Sequence, residues 1–220
     1  MAHIDPLLQR NKDFAAAGTH EAASIVAKYP VYVITCLDPR TDLSAFLGLE
    51  LGDAMVIRNA GGRVSPDVLK DLAYIGYLSP AIVPGGPRFE VAVVHHNQCG
   101  THYLADGTFR RGFAELIGGG EAALDAEAVT DPEQTVRSDI ELLRSAAVLP
   151  DTITVSGHVY DVTTGLVTTV VPAALVHPRT LQPGSRAGVS TIPLTQHPAR
   201  SELRVTGLAG RSPDPDRTGP

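Results

Sequence analysis

The chain has 220 residues, of which 43% are hydrophobic, and this length and composition suit one domain with a single hydrophobic core. Its formal charge of −6 argues against nucleic acid as a partner, because domains that bind phosphates are normally basic. No segment approaches the roughly 20 apolar residues that span a bilayer, and acidic residues are scattered through the N-terminal stretch. We therefore expect a soluble, cytoplasmic protein with no membrane partner.

Segments of helical and strand character alternate along most of the chain. Residues 7–28 predict a weakly amphipathic helical region, and 42–48 a short helical piece. Ser65 and Pro66 are typical of a helix start, as cap and first residue, and this helix is expected to end near Leu78. Short apolar runs rich in β-branched residues predict four buried strands, at 31–35, 54–57, 91–94 and 152–156.

The elements around the third and fourth strands are less regular. Residues 79–88 are rich in proline and glycine and are interpreted as a loop. Residues 113–117 predict a short helical turn, and the segment from Asp131 to about Ala147 a longer amphipathic helix. Residues 160–170 are typical of a hairpin arm that turns at Thr164-Gly165 and forms an edge strand.

This order of elements predicts an α/β fold. Apolar strands that alternate with helices and lack polar alternation indicate a mostly parallel sheet flanked by helices. We expect this domain to occupy residues 1–171. Residues 172–220 are rich in proline and glycine and are expected to form an extended or disordered tail.

The only two cysteines, Cys36 and Cys99, follow the first and third predicted strands. His96 also follows the third strand, three residues before Cys99. Ligand sites of parallel sheets lie at the carboxyl ends of the strands. Two thiolates and one imidazole suit zinc, and three protein ligands leave a fourth position open, as in catalytic sites. A pair of buried structural thiols and a redox-active pair remain alternatives.

Asp38 and Arg40 add chemistry to the first of these segments. A zinc ion lowers the pKa of a bound water, which must then be oriented and lose a proton. A carboxylate beside the metal can accept a hydrogen bond from that water or compete for its position, and an arginine can hold the carboxylate away. An ordinary ion pair at a strand end is the alternative interpretation.

Several blocks in a fixed order resemble the β-class carbonic anhydrases over about residues 5–171. The blocks are Cys36-Leu-Asp-Pro-Arg40, Val56-Ile-Arg-Asn-Ala-Gly-Gly62, His95-His-Asn-Gln-Cys-Gly100 and Val155-Ser-Gly-His-Val-Tyr-Asp161. The resemblance implies that one zinc ion per chain binds Cys36, His96 and Cys99, with Asp38 and Arg40 as the catalytic pair. It also implies a substrate pocket that includes Asn59, Ala60, Gly61, Gly62 and Gly100.

The activity that this resemblance implies is reversible hydration of carbon dioxide to bicarbonate and a proton by zinc-bound hydroxide. Related proteins of this kind hydrolyse carbonyl sulfide or carbon disulfide, and the sequence does not separate these substrates. A non-catalytic zinc-binding assembly module, with Asp38 as a permanent fourth ligand, is the hypothesis from another class. The resemblance further implies an N-terminal helical arm that embraces a second subunit, in a homodimer or homotetramer.

One feature near the site departs from the family pattern, and another is open to two interpretations. Asn97-Gln98 stands where related proteins often carry Thr-Asp or other small polar pairs. His95 and His102 flank the ligands, and either can be a proton shuttle or an ordinary structural histidine.

Overall fold

A computed structural model describes residues 2–86 and 88–177 of the chain. Its centre is a five-stranded sheet with the strand order β2-β1-β3-β4-β5. The strands are β1 (Val31–Cys36), β2 (Met55–Asn59), β3 (Glu90–His96), β4 (Thr154–Tyr160) and β5 (Val167–Leu175). The first four are parallel and β5 pairs antiparallel with β4. The predicted mostly parallel sheet is confirmed, and the edge strand expected within 160–170 is found at Val167–Leu175.

Six α-helices connect or precede the strands within the described residues. They are α1 (Asp5–Ala16), α2 (Leu43–Phe46), α3 (Pro66–Ile82), α4 (Gly107–Ile117), α5 (Glu121–Glu127) and α6 (Pro132–Ser145). Short 3-10 turns occur at Thr19–Ala22, Ala60–Gly62 and Gly100–Ala105. Side-chain caps start α3 and α6 as expected: Ser65 accepts from the Val68 amide, and Asp131 from the amides of Glu133 and Gln134.

The main core lies between one face of the sheet and the helices α3 and α6. Alternate residues of β1 and β3, such as Ile34 and Val93, are fully buried against Leu72 of α3 and Ile140 of α6. A smaller apolar cluster covers part of the opposite face, where the rings of Phe46 and Tyr160 stack with centroids 4.1 Å apart. No helix among the described residues has both the length and the apolar character needed to cross a bilayer.

The N-terminal helical region and the loop after α3 differ from the expectation. Gly18, in the left-handed conformation at φ +68°, ends the first helical segment, so only Asp5–Ala16 and a 3-10 turn are helical instead of 7–28. The helix α3 continues to Ile82 through Pro80, although the segment from 79 was interpreted as loop. Proline removes one backbone donor, but its fixed φ is compatible with a helix.

The helix that follows β3 and the strand β5 are longer than expected. Asp106 caps α4 through the amides of Thr108 and Phe109, so this helix begins well before the predicted turn at 113, and α5 was not predicted. The strand β5 runs to Leu175, which moves the predicted tail boundary at Pro172 into the sheet. The edge position of β5 accommodates Pro172 because an edge strand leaves backbone groups unpaired. The remaining part of the predicted tail, residues 178–220, lies outside the described residues.

Candidate metal centre

Three metal-ligating side chains meet where β1 and β3 end. Cys36 is the last residue of β1, His96 is the last residue of β3, and Cys99 follows after a two-residue loop. The two strands are neighbours, and the chain crosses from β1 to β2 on one side and then to β3 on the other. This reversal of strand order creates the crevice in which ligands of parallel sheets bind. One ligand atom from each residue lies within 4.8 Å of the other two.

The donor set fits a metal ion. His96 is 1% exposed, yet neither of its ring nitrogens has a hydrogen-bond partner among the described residues. A buried polar group without a partner is costly, and a coordinated cation would satisfy it. The sulfur atoms of Cys36 and Cys99 lie 3.8 Å apart in the same buried cluster. Two sulfurs and one imidazole nitrogen can therefore hold a metal at this point and leave one tetrahedral position for another ligand.

The two thiols influence each other strongly. The hydrogen bond between them lowers the pKa of Cys99 and raises the pKa of Cys36, so that one proton is shared by the pair. The backbone amide of Asp38 also points at Cys36, with N to Sγ at 3.4 Å, and the Thr101 hydroxyl lies 3.2 Å from the Cys99 sulfur. These polar neighbours favour the thiolate form that a metal requires.

Asp38 and Arg40 form a two-point ion pair beside the cluster. The guanidinium donates from Nε to Oδ1 at 2.9 Å and from Nη2 to Oδ2 at 2.7 Å, and the Arg40 backbone amide donates to Oδ1 at 2.9 Å. The side-chain hydrogen bond from Arg40 is the main reason that the pKa of Asp38 is lowered to about 2. The carboxylate is thus ionised at neutral pH and is held by Arg40.

Arg58 and Thr41, which are not among the predicted site residues, fix the loop that carries this pair. Arg58 donates from Nε to the Cys36 carbonyl oxygen at 2.9 Å and from Nη2 to the Asp38 carbonyl oxygen at 2.6 Å. The Thr41 hydroxyl donates to the same two carbonyls, at 2.7 and 2.8 Å. Arg58 stands inside the block that carries the family resemblance, and that block was the only sequence signal for it.

The glycine-containing turn at Ala60–Gly62 lies directly against the end of β1. Gly62 has φ +69°, and a Cβ atom at this position would lie 2.8 Å from the backbone nitrogen of Cys36. The Asn59 carbonyl accepts from the Leu37 amide at 2.9 Å, and its side-chain amide donates to the Arg63 carbonyl at 2.8 Å. The expected pocket residues Asn59 to Gly62 are therefore adjacent to Cys36. Gly100 lies directly after Cys99 and is exposed.

A buried ionic network that was not predicted from the sequence supports this turn. Asp139 of α6 is completely buried and accepts from Arg63 Nε and Nη2, both at 2.9 Å. His95 Nε2 lies 3.2 Å from the same carboxylate and 3.1 Å from the Gly62 carbonyl oxygen. Burial opposes ionisation of Asp139, but the hydrogen bonds from His95 and Arg63 outweigh it and hold its pKa below the usual range.

The two histidines beside the ligands differ in their surroundings. His95 is completely buried, and its Nδ1 pairs with the Thr135 hydroxyl at 2.8 Å, so both ring nitrogens have partners. This environment, without access to solvent, is that of a structural histidine. His102 is exposed, and its Nδ1 lies 2.7 Å from the Cys99 carbonyl oxygen.

An apolar cavity of about 430 Å³ lies at the opposite end of β1 from the cluster. Pro30, which precedes the strand, and Phe89, which precedes β3, are among its lining residues. None of the candidate ligands lines it. The chemistry-bearing residues are thus concentrated at the carboxyl ends of the strands, away from this cavity.

Fold and site together define a class of α/β proteins that can hold a metal ion on two cysteines and one histidine at a strand-order reversal. A family model described as carbonic anhydrase matches residues 31–116. Beta-carbonic anhydrase 1 of Mycobacterium tuberculosis is 29% identical over 172 residues, which cover 78% of this chain and 100% of that protein. The crystal structure of a carbonic anhydrase from Streptococcus mutans has a TM-score of 0.65 and 33% identity, and the match covers 77% of this chain and 98% of that chain.

A second group of relatives is named for a different activity. A carbon disulfide hydrolase of an Acidianus species is 24% identical over 185 residues, covering 74% of this chain and 86% of that protein. The chain belongs to the β-carbonic anhydrase family, which includes these related hydrolases.

Proposed function

We propose that this protein catalyses the reversible hydration of carbon dioxide to bicarbonate and a proton, with one zinc ion per chain held by Cys36, His96 and Cys99. The observation that carries this proposal is the buried three-donor cluster with its unpartnered imidazole. Membership of the β-carbonic anhydrase family supports the choice of reaction. The sulfur-rich donor set supports zinc over harder cations, which prefer oxygen ligands.

Zinc in such a site would supply a nucleophile, because it lowers the pKa of a coordinated water. The residues of the chain then have separate tasks. The three ligands hold the ion, and Asp38 accepts a hydrogen bond from the attacking water and so orients it. Arg40 keeps the Asp38 carboxylate paired, at 2.7 to 2.9 Å, and thereby prevents it from closing the fourth position.

We further propose that the turn Asn59 to Gly62, together with Gly100, lines the substrate pocket. Gly62 allows the turn to approach the Cys36 backbone as closely as it does, since any side chain would collide there. Val129 packs in the same buried cluster as Cys36 and Cys99 and gives the site an apolar wall. An apolar wall beside a polar reacting centre suits a small, uncharged, linear substrate.

Hydrolysis of carbonyl sulfide or carbon disulfide is the second candidate function. The relative named carbon disulfide hydrolase favours it, and the same attack on carbon would release hydrogen sulfide where hydration produces bicarbonate. The apolar contact of Val129 with the thiol cluster is compatible with a sulfur-containing substrate. A non-catalytic zinc module requires Asp38 to be a permanent ligand, and the two-point pairing with Arg40 weighs against that role.

A homodimer or homotetramer formed through α1 is part of the proposal. No residue of α1 is buried, and its apolar side chains Leu7, Leu8 and Phe14 are exposed, as is Ile4 directly before the helix. Burial of these side chains against a second copy would stabilise the assembly.

We place the protein in the cytoplasm because two thiols that serve as metal ligands must stay reduced. The catalytic domain ends with β5 in this proposal, and residues beyond it are assigned no part in the chemistry.

The decisive experiment measures three quantities on the same preparation: the metal content, the rate of carbon dioxide hydration, and the rate of hydrogen sulfide release from carbonyl sulfide or carbon disulfide. We expect one zinc per chain and a hydration rate that rises above neutral pH, because two thiolates cancel the charge of the ion and leave the bound water less acidic. The variant Cys36→Ser should lose both metal and activity, while Arg111→Gln, an exposed residue of α4, serves as control. Metal without hydration but with sulfide release would select the second candidate, and metal without either activity would refute both.

A further inference from the structure

Gln98 lies between two candidate ligands in a conformation that few non-glycine residues adopt. Its φ is +55°, and among the described residues it is the only non-glycine with a positive φ. The left-handed region costs an L-residue about 1 kcal/mol or more, so the surroundings must hold it there. Asn97 precedes Gln98 in the same two-residue loop between His96 and Cys99. Neither residue has a task in the proposed reaction.

The left-handed turn brings Gln98 against the guanidinium of Arg40. Nη2 of Arg40 donates to the Gln98 carbonyl oxygen at 3.0 Å, and Nη1 lies 3.4 Å from Oε1 of its side chain. The same guanidinium donates to both carboxylate oxygens of Asp38. Arg40 is therefore held between Asp38 and Gln98, and its orientation is fixed from both sides.

The loop is in turn fastened to the connection between β4 and β5. Gln98 Nε2 donates to the Thr163 hydroxyl at 3.2 Å. Asn97 Nδ2 donates to Asp161 Oδ1 at 2.6 Å, and its Oδ1 accepts from the Val162 amide at 2.9 Å. Asp161 also accepts from the Thr163 amide at 2.8 Å, so one carboxylate organises both the turn and the loop. A continuous hydrogen-bonded chain runs from this turn to Asp38.

We propose that Asn97 and Gln98 act as positioning residues that anchor Arg40 to the β4–β5 turn. The anchor holds Arg40 where it keeps Asp38 paired, and this leaves the fourth metal position available to a small ligand. Only this last consequence rests on the proposed function, because the anchor itself involves no metal. Without the anchor, the Arg40 side chain, which is 45% exposed, has several alternative rotamers, and its hold on Asp38 is weaker.

The anchor is tested on metal-free protein by following Arg40 Nε–H exchange with water by nitrogen-15 NMR. Gln98→Gly removes the side chain and keeps both the left-handed backbone and the carbonyl acceptor. We expect exchange to accelerate about fivefold, the factor that one lost hydrogen bond of ordinary strength gives. Thr163→Val should act in the same direction, and Thr168→Val, an exposed residue of β5, should have no effect. An unchanged exchange rate in Gln98→Gly would overturn the proposal.

The consequence for the metal position is tested with cobalt-loaded protein and thiocyanate, whose binding changes the visible absorption of the ion. We expect Gln98→Gly to weaken thiocyanate binding about fivefold, because Asp38 then competes for the position. The same substitution in an Asp38→Asn background should have no effect, since the neutral amide is a poor competitor. An equal loss in both backgrounds would overturn the role assigned to the anchor. Failure to bind cobalt or zinc would instead count against the proposed function, and the metal-free measurement would still decide the anchor.

Discussion

Cys36 Sγ lies 3.8 Å from Cys99 Sγ, although the two residues are separated by 63 positions in the chain. The parallel pairing of β1 with β3 brings them together, because both strands end at the same edge of the sheet. His96 completes the cluster from the end of β3. Several measurable properties of the protein depend on this arrangement and on the residues that support it.

Removal of one ligand should abolish tight metal binding. For Cys99→Ser we expect the zinc affinity to fall by more than about a hundredfold. Mutation of residues that only hydrogen-bond to metal ligands already lowers metal affinity by up to that factor, and loss of a ligand itself should cost more. Competition with a chromophoric chelator measures the affinity. His102→Gln is the matched control, because His102 contacts the Cys99 carbonyl but belongs to no ligand set. A Cys99→Ser protein that retained tight zinc binding would contradict the assignment.

Loss of the Asp38–Arg40 pair should lower the rate without removing the metal. Arg40→Gln leaves the carboxylate without its two-point partner, and we expect kcat for carbon dioxide hydration to fall about a hundredfold, the lower range for loss of a positioned acid–base group. Stopped-flow hydration and zinc analysis on the same sample give the two quantities. Arg111→Gln should change neither, and an Arg40→Gln enzyme with normal kcat would rule out the pair as catalytic machinery.

Gly62 should tolerate no side chain. Gly62→Ala places a Cβ 2.8 Å from the Cys36 nitrogen at φ +69°, and we expect a loss of about 3 kcal/mol or more in the free energy of unfolding. Gly48→Ala is the control, because Gly48 has a similar φ of +67° with no atom within 4 Å. The control should lose only about 1 kcal/mol, the cost of the left-handed conformation. Urea denaturation measures both, and equal losses would show that the close approach is unimportant.

The buried carboxylate Asp139 should contribute strongly to stability. Asp139→Asn leaves Arg63, whose side chain is 13% exposed, without its anionic partner, and we expect a loss of about 3 kcal/mol. Glu141→Gln on the same helix breaks only an exposed pair with Arg144 and should change stability by less than about 0.5 kcal/mol. Chemical denaturation of both variants tests the difference. A mild effect of Asp139→Asn would mean that the turn is supported by packing alone.

Stability should decline in acid through carboxylates whose pKa is lowered in the folded protein. The Thr163 backbone amide of the β4–β5 turn and then the Asn97 side chain of the loop after β3 lower the pKa of Asp161 to about 2. An unfolded aspartate titrates near pKa 3.9, so the unfolded chain takes up protons first as the pH falls. The contribution of Asp161 is therefore complete above about pH 5 and lost between there and about pH 2. Urea unfolding across this range should show a smaller decline for Asp161→Asn than for the unmodified protein.

Most of the secondary structure could be predicted from local patterns. The β-branched runs identified the four parallel strands to within a few residues, and Ser65 and Asp131 marked the starts of α3 and α6. These features follow from short-range preferences of side chains and caps. The continuation of α3 through Pro80 was not predictable in this way, because a proline within a proline-rich segment normally indicates a loop.

The sequence by itself determined which side chains of this protein can bind a metal, since donor chemistry is a property of each residue, and the ordered blocks indicated the family. Only the tertiary structure decided how those side chains are held. The network of Arg63, Asp139 and His95 joins three distant segments, and its signal is absent from any short window of sequence. The placement of Arg40 between Asp38 and Gln98 likewise depends on a left-handed residue in one loop and on a turn from another part of the sheet. Contacts between distant segments form only when the strands pair, and so the orientation of Asp38 is a property of the fold.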